Sequence, residues 1–236
     1  MKQSSPASSA NLANATANPV RLVTENIGGI PNYGYGFTPY FLSLGLFVGT
    51  LLMSIVLPFR ETVNDVKSGV SWFLAKFTIV ASVAVVQALI SNVILFWMLH
   101  LHVAHPVSFV LFSILISLVF AAILHFLVSA MANPGRFLAL ILLILQLTSS
   151  SGTYPVMLSP EFFQHIHPYL PMTYTVSGYR YLLGGGLTSS FHRDIGVLAI
   201  IGIAFALLSL LTFVLFFRSQ HDGRHERHVE GQHLLP

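Results

Sequence analysis

His125, in FAAILHFLVSA, is the one ionisable side chain deep inside an apolar run of this 236-residue sequence. A neutral imidazole is cheap to bury, since its ordinary pKa is about 6.5, so the first expectation is a hydrogen bond to a neighbouring helix. Proton or substrate handling is the alternative. Gln87, Ser91 and Asn92 lie at helical spacing in the preceding run. Their amide and hydroxyl groups suit interhelical hydrogen bonds, and failing that Gln87, Asn92 and His125 would mark an intramembrane polar path. Ser149, Ser150 and Ser151 raise the question of serine hydrolase chemistry, which needs a base within hydrogen-bond reach. At ~1.5 Å per residue of helix, His125 is more than ~15 Å from them along the membrane normal. No catalytic set is expected, and the chain is not read as an enzyme.

Histidines recur elsewhere, at His100, His102, His105, His165 and His167, and in the tail at His221, His225 and His228. The first group has neither the carboxylate pattern nor the fixed spacing of a metal site, and the tail histidines, though at helical spacing, lie in a charged, Gly-broken stretch that reads as solvated, so no metal or other cofactor is expected. There is no cysteine, hence no disulfide or thiolate site. The formal charge of +3, without a basic patch interleaved with aromatics, gives no case for nucleic acid. No Walker A motif or other phosphate-cradling Gly-Lys pair occurs, so any ATP-driven step must be supplied by another chain.

The elements that must position these residues are membrane spans. Charged residues are 8% of the chain and hydrophobic ones 54%, and mean hydropathy is +0.75. An average soluble domain carries roughly a quarter charged residues. Runs of about 20 apolar residues, the length that crosses a hydrocarbon core, fall at 37 to 59, 72 to 99, 107 to 130, 137 to 152 and 195 to 217. The fourth is short and must thin the bilayer or continue into non-helical backbone buried in protein. Only Lys76 among the Lys and Arg residues enters a run, one turn deep, where it can snorkel.

Positive charge sets the orientation. With the C-terminus in the cytoplasm, Arg60, Lys67, Lys76, Arg136, Arg218, Arg224 and Arg227 lie inside, and Lys2, Arg21, Arg180 and Arg193 outside. An odd number of spans then puts the N-terminus outside. Residues 1 to 36 read as an extracellular linker, 37 to 218 as the membrane domain and 219 to 236 as a solvated cytoplasmic tail. In the leader, Gly34, Gly36 and Pro39 argue against any regular element before the span. A chain whose first element is a linker reads as the end of something longer.

Two connecting segments stand out. In RETVNDVKSGVS, residues 60 to 71, Val63, Val66 and Val70 recur at helical spacing, Glu61 and Asp65 come early and Lys67 late, as the helix dipole favours. This is a short amphipathic helix that either rests on the inner lipid interface or docks a cytoplasmic partner. In SSSGTYPVMLSPEFFQHIHPYLPMTY, residues 149 to 174, Ser159 is a natural N-cap and Pro160 suits the first helical position. Phe162, Phe163, Ile166, Tyr169 and Leu170 then share one face, with Gln164, His165 and His167 opposite. Pro168 and Pro171 break that helix and start a second, which carries Tyr174, Tyr179, Arg180 and Tyr181 and stops at Gly184 to Gly186. The segment is expected to be two short helices dipping into the outer interface.

The stretches GYGFTPYFLSLGLFVG at 34 to 49 and LQLTSSSGTYPVMLSPEFFQHIHPYLPMTYTVSGYRYLLGGG at 145 to 186 resemble the C-terminal membrane domain of the YhgE/Pip (phage infection protein) family, a branch of the ABC-2 type permeases. The resemblance covers about residues 30 to 217. It implies an all-α integral membrane protein with five spans and a pair of outer interfacial helices, a permease half lacking its first span and most of a large extracellular region. It further implies a Gram-positive cell membrane and a separate nucleotide-binding ATPase that meets the first inner loop. Pairing of halves in a homodimer belongs to the same expectation. The implied activity is transport or export. The alternative is a membrane anchor for the large extracellular domain, which serves as a phage infection factor or secretion-associated component.

Overall fold

The computed structural model describes residues 33–59, 68–103, 105–150, 152, 156–184 and 188–232. The amphipathic segment with Glu61, Val63, Asp65, Val66 and Lys67 lies outside the described residues, as does the leader up to residue 32. Every regular element among the described residues is helical.

Helix α1 (Tyr33–Val56) is followed by α2 (Gly69–Val93), which runs on into a π-helical turn (Ile94–Met98). Then come α3 (Pro106–Met131), α4 (Asn133–Ser149), the short α5 (Glu161–Ile166), α6 (Pro171–Gly184) and the long α7 (Thr188–Gln232). Four helical stretches are long and apolar enough to cross a membrane: Gly34–Val56, Gly69–Met98, Pro106–Met131 and Ser190–Ser219. The fourth run forms a helix of 17 residues, α4, which falls below that length. Outward-facing Leu74, Ile90, Leu111, Ile144, Leu207 and Leu215 are each exposed by two-fifths or more. Large apolar side chains spread so widely over the flanks belong to a bundle whose solvent is lipid.

The bundle is organised around α3. It packs against α1, α2, α4 and α7, and 61% of its apolar window is buried, against 22% for α2 and 17% for α7. Phe109, Ile116, Phe120, Ile123 and Leu124 of α3 are essentially inaccessible, and Phe120 meets Phe47 of α1 edge-on at 5.1 Å. Between helices already in lipid, such packing and hydrogen bonds replace the hydrophobic drive that joins helices in water.

Two boundaries differ from the sequence expectation. Helix α1 starts at Tyr33, inside the expected linker, although Gly34 and Gly36 are poor helix formers. Tertiary ties supply the stabilisation: the Tyr35 hydroxyl donates to the His100 carbonyl at 3.2 Å and accepts from the His102 amide at 2.8 Å. At the other end of the chain, α7 continues past the expected end of the last span to Gln232. Two cations tie the described parts of the Arg136 end together. Arg136 donates from Nε and Nη2 to the Ser54 carbonyl near the end of α1, and Lys76 Nζ donates to the Pro58 carbonyl at 3.0 Å. Cations on the last carbonyls of a helix complement its dipole.

Candidate functional site at the α6 end

His125 lies wholly buried, with Nδ1 2.7 Å from the Ser209 hydroxyl of α7. Phe59, Phe73, Phe77 and Phe213 surround its ring, with centroids 5.4 to 5.8 Å away, and Phe213 is stacked on it. The imidazole therefore joins α3 to α7 inside an aromatic cage, and its hydroxyl partner is Ser209 and not the serine run at the end of α4. Gln87 Nε2 donates to the Leu46 carbonyl of α1 at 3.0 Å. Asn92 is buried, donates to the Ala88 carbonyl and receives the Ser113 hydroxyl of α3 at 3.3 Å. Gln87, Asn92 and His125 are thus each used at a different helix contact, and the structure does not bring them together.

The Asn92 contact is the inner end of a longer chain. Tyr179 of α6, fully buried, donates to Ser113 Oγ at 2.8 Å, and the single Ser113 proton is shared between the Phe109 carbonyl of its own helix at 2.9 Å and Asn92 Oδ1 at 3.3 Å, so the polar contacts run from α6 through α3 to α2. Burial pushes the Tyr179 phenol far above its ordinary value, the opposing pull of Ser113 being smaller, so the group stays a donor. Phe109 and Phe112 wall its ring at 4.9 and 5.1 Å. Gly178 makes this possible, since a β-carbon there would collide with the Phe112 ring. A second tie runs from Thr175 Oγ1 to Ser43 Oγ of α1 at 2.8 Å, and Ser43 in turn donates to the Pro39 carbonyl.

The paired helices differ from expectation in three details. Helix α5 begins at Glu161 with Pro160 as its extended N-cap, and the Ser159 hydroxyl makes no capping bond. Gln164 does the tying instead, donating from Nε2 to the Ser159 carbonyl at 2.8 Å. Of the expected apolar face, Leu170 is buried and Phe163 and Ile166 are half-buried, whereas Phe162 and Tyr169 point away from the protein, 61% and 81% exposed. His167, expected on the polar side, turns inward and donates from Nδ1 to the Ser149 carbonyl. Tyr174 donates to the Pro168 carbonyl across the turn between the helices at 2.6 Å.

Between the end of α4, that turn, α6 and the start of α7 lies a cavity of about 240 Å³. Asp194, Arg180 and Arg193 bring charge to it, and His167, Thr173 and Ser177 bring polar groups. Asp194 is 1% exposed; its Oδ1 pairs with Arg193 Nη2 at 3.5 Å, a long hydrogen bond, and its Oδ2 has no hydrogen-bond partner among the described residues. Arg180 donates to the Gly152 carbonyl at 3.1 Å, and its partial burial lowers the guanidinium's pKa without discharging it. The buried polar groups of Gln146, Ser149 and Ser150 at the end of α4 also lack partners among the described residues. Sequence reading passed over Asp194 because an Arg-Asp pair at the edge of a run looks like an ordinary interface pair. The available signal was that Asp194 is the one acidic residue directly abutting a span.

Comparison with known proteins agrees with this architecture. A family model described as ABC-2 family transporter protein matches residues 1–211. The chain is 39% identical over 210 residues to a Bacillus subtilis (strain 168) protein named "Uncharacterized protein YhgE". That alignment covers 89% of this chain and 27% of the relative, so the chain spans about a quarter of the relative's length. No solved structure matches. A multi-pass bundle of apolar helices, matched along most of its length by one transporter family and by YhgE, places the chain among the ABC-2 family transporter proteins as a YhgE-type, permease-like membrane domain.

Proposed function

We infer that the chain is the permease component of an ABC-2 type transport or export system energised by a separate ATPase. The observation that carries this reading is the family match over residues 1–211 together with a bundle whose paired short helices, α5 and α6, directly precede the last long helix. In this reading α1, α2, α3, α4 and α7 are five spans, α4 crossing as a short helix whose far end is continued by protein rather than lipid. The N-terminus and the α5–α6 pair are extracellular, and α7 ends in the cytoplasm. The segment at 60 to 67 then lies on the cytoplasmic face, where its apolar stripe meets the ATPase. Two permease halves, in a homodimer or with a further chain, would complete the assembly.

The relay from Tyr179 through Ser113 to Asn92 supports a mechanical role for α6. A helix at the membrane surface that is hydrogen-bonded to the centre of the bundle will move when α2 and α3 move. Polar pairs of this kind are worth about 0.6 kcal/mol each on average in a membrane, enough to couple elements without locking them. The anchor reading draws on a different observation, that the YhgE relative is far longer than this chain. A membrane domain serving only to hold a large extracellular region would have no use for a cytoplasmic partner.

The experiment separating the two is co-purification from membranes of the native host, with Val63 and Val66 each replaced by Asp. The permease reading expects a nucleotide-binding subunit with the wild-type chain, and its loss from the double variant at unchanged membrane yield. A wild-type chain that brings down no ATPase, under conditions that retain known membrane complexes, sinks the permease reading in favour of the anchor.

A further inference from the structure

We propose that the cavity at the α6 end binds a phosphoethanolamine headgroup, with its primary ammonium on Asp194 and its phosphate on Arg180 and Arg193. The proposal is independent of transport, since headgroup binding needs neither an ATPase nor turnover.

The first ground is the carboxylate. Asp194 is almost inaccessible, its paired Arg193 reaches Oδ1 alone and at 3.5 Å, and Oδ2 has no hydrogen-bond partner among the described residues. An ionised carboxylate so enclosed is costly unless a cation and hydrogen-bond donors reach it. A primary ammonium supplies both, with three N–H donors on a compact charge. The second ground is the pair of guanidiniums on the same cavity, whose planar forks match phosphate oxygens. Arg193 is 68% exposed, so the phosphate end lies toward the mouth and the ammonium end inside.

Local complementarity, rather than the net charge of one carboxylate and two guanidiniums, then selects the class of ligand. A plain anion drawn by the arginines would meet Asp194, and a plain cation drawn by Asp194 would meet two guanidiniums. A zwitterion satisfies both. Thr173 and Ser177 supply hydroxyls for the remaining oxygens. The volume of about 240 Å³ is below the ~300–1,000 Å³ usual for drug-sized ligands, and so suits a small polar head. The cavity also lies at the ends of α4 and α7, at the level where phospholipid headgroups sit. The same chemistry is presented by a membrane phospholipid and by free phosphoethanolamine.

The test uses the whole chain in nanodiscs of phosphatidylglycerol doped with either phosphatidylethanolamine or phosphatidylcholine. The readouts are thermal stability and the lipid retained in native mass spectrometry. Choline carries a cation without N–H donors, so the wild-type chain should retain the ethanolamine lipid on the order of tenfold more strongly, the usual value of a hydrogen bond to a charged group. That preference should vanish in Asp194→Asn and weaken several-fold in Arg193→Gln, whose side chain is exposed and whose loss leaves packing intact. A detergent arm titrates soluble phosphoethanolamine. A stabilisation lost in Asp194→Asn assigns a soluble source, and an effect confined to nanodiscs assigns the lipid; either supports the site. Equal retention of the two lipids by the wild-type chain overturns the proposal, however the Asp194→Asn chain folds. Unchanged preference in a folded Asp194→Asn overturns it equally.

Discussion

Among single residues, the strongest local conflict between side chain and backbone is at Ala132, in the connection from α3 to α4. Its φ of 55° and ψ of −121° lie where a β-carbon crowds the backbone, and its amide closes the end of α3 on the Val128 carbonyl at 2.8 Å. The turn cannot relax, because three residues later α4 comes so close that a β-carbon on Gly135 would collide with the Leu127 backbone. Backbone held in such a region costs of order 1–3 kcal/mol, whereas glycine costs about 0.5–1 kcal/mol in unfolded-state entropy. Ala132→Gly should therefore raise stability by about 1 kcal/mol, read as a higher melting temperature in detergent at unchanged oligomeric state. A lower melting temperature would show that the turn is unstrained. His125 presents a different case, a buried polar residue half satisfied: Ser209 takes Nδ1, four phenyl rings enclose the ring, and Nε2 has no hydrogen-bond partner among the described residues. Its reading as an interhelical bond came from the sequence directly, because a lone histidine in an apolar run has few other ways to be satisfied.

At the scale of elements, the α5–α6 pair is held by a few side chains, and the structure changes which ones matter. Phe163 and Ile166 are half-buried and Leu170 is buried, while Phe162 points away from the protein. Gln164 carries hydrogen bonds to the Met157 and Ser159 carbonyls that replace the missing Ser159 cap. Replacing Phe163 and Ile166 by Ser should release α5 and raise amide exchange across 156 to 170, since each buried apolar side chain is worth roughly 1.5–3 kcal/mol. Phe162→Ser should leave protection within error, and Gln164→Ser should fall between the two. Equal losses in all three variants would make this an ordinary loop with no docked face. The existence of two short helices was legible because Pro168 and Pro171 can only sit at helix starts and breaks. Which residues face inward was not legible. Six residues make too short a helix to define a stripe, and the direction was set by contacts from distant parts of the chain, such as His167 with the end of α4. Asp194 escaped notice for the same reason: its meaning comes from Arg180 and His167 arriving from other elements.

For the whole molecule, the proposed alternation of α1, α2, α3, α4 and α7 as five spans sets their relative direction, so one observation of sidedness would orient all of them. Arg136 and Lys76 sit at one end, bound to the Ser54 carbonyl near the end of α1 and to the Pro58 carbonyl just beyond it, and Arg180 and Arg193 sit at the other, on the polar cavity. Local carbonyl bonds explain why the first pair is tolerated near the apolar layer, and the sequence assigns seven Lys and Arg residues to that side, Arg60, Lys67, Lys76, Arg136, Arg218, Arg224 and Arg227, against Lys2, Arg21, Arg180 and Arg193 on the other. The orientation proposed above, with positive charge retained in the cytoplasm, has the Arg136 end inside and the α6 end outside. Single cysteines test this directly in a chain that has none of its own. Gly152 is a poor choice for the α6 end, because its β-carbon would strike the Tyr40 ring. Glu161 is exposed and begins α5 without a hydrogen bond from its carboxylate among the described residues, so cysteine there costs little. In intact cells, Cys at Ser5, Glu161 and Ser189 should react with an impermeant thiol reagent, and Cys at Asn64 and Gln220 should react only after the membrane is opened. Because α4 is only 17 residues long, the pattern also decides whether it crosses. If α4 merely dips and returns, Asn64 and Glu161 would lie on the same side, and the two cysteines would label together.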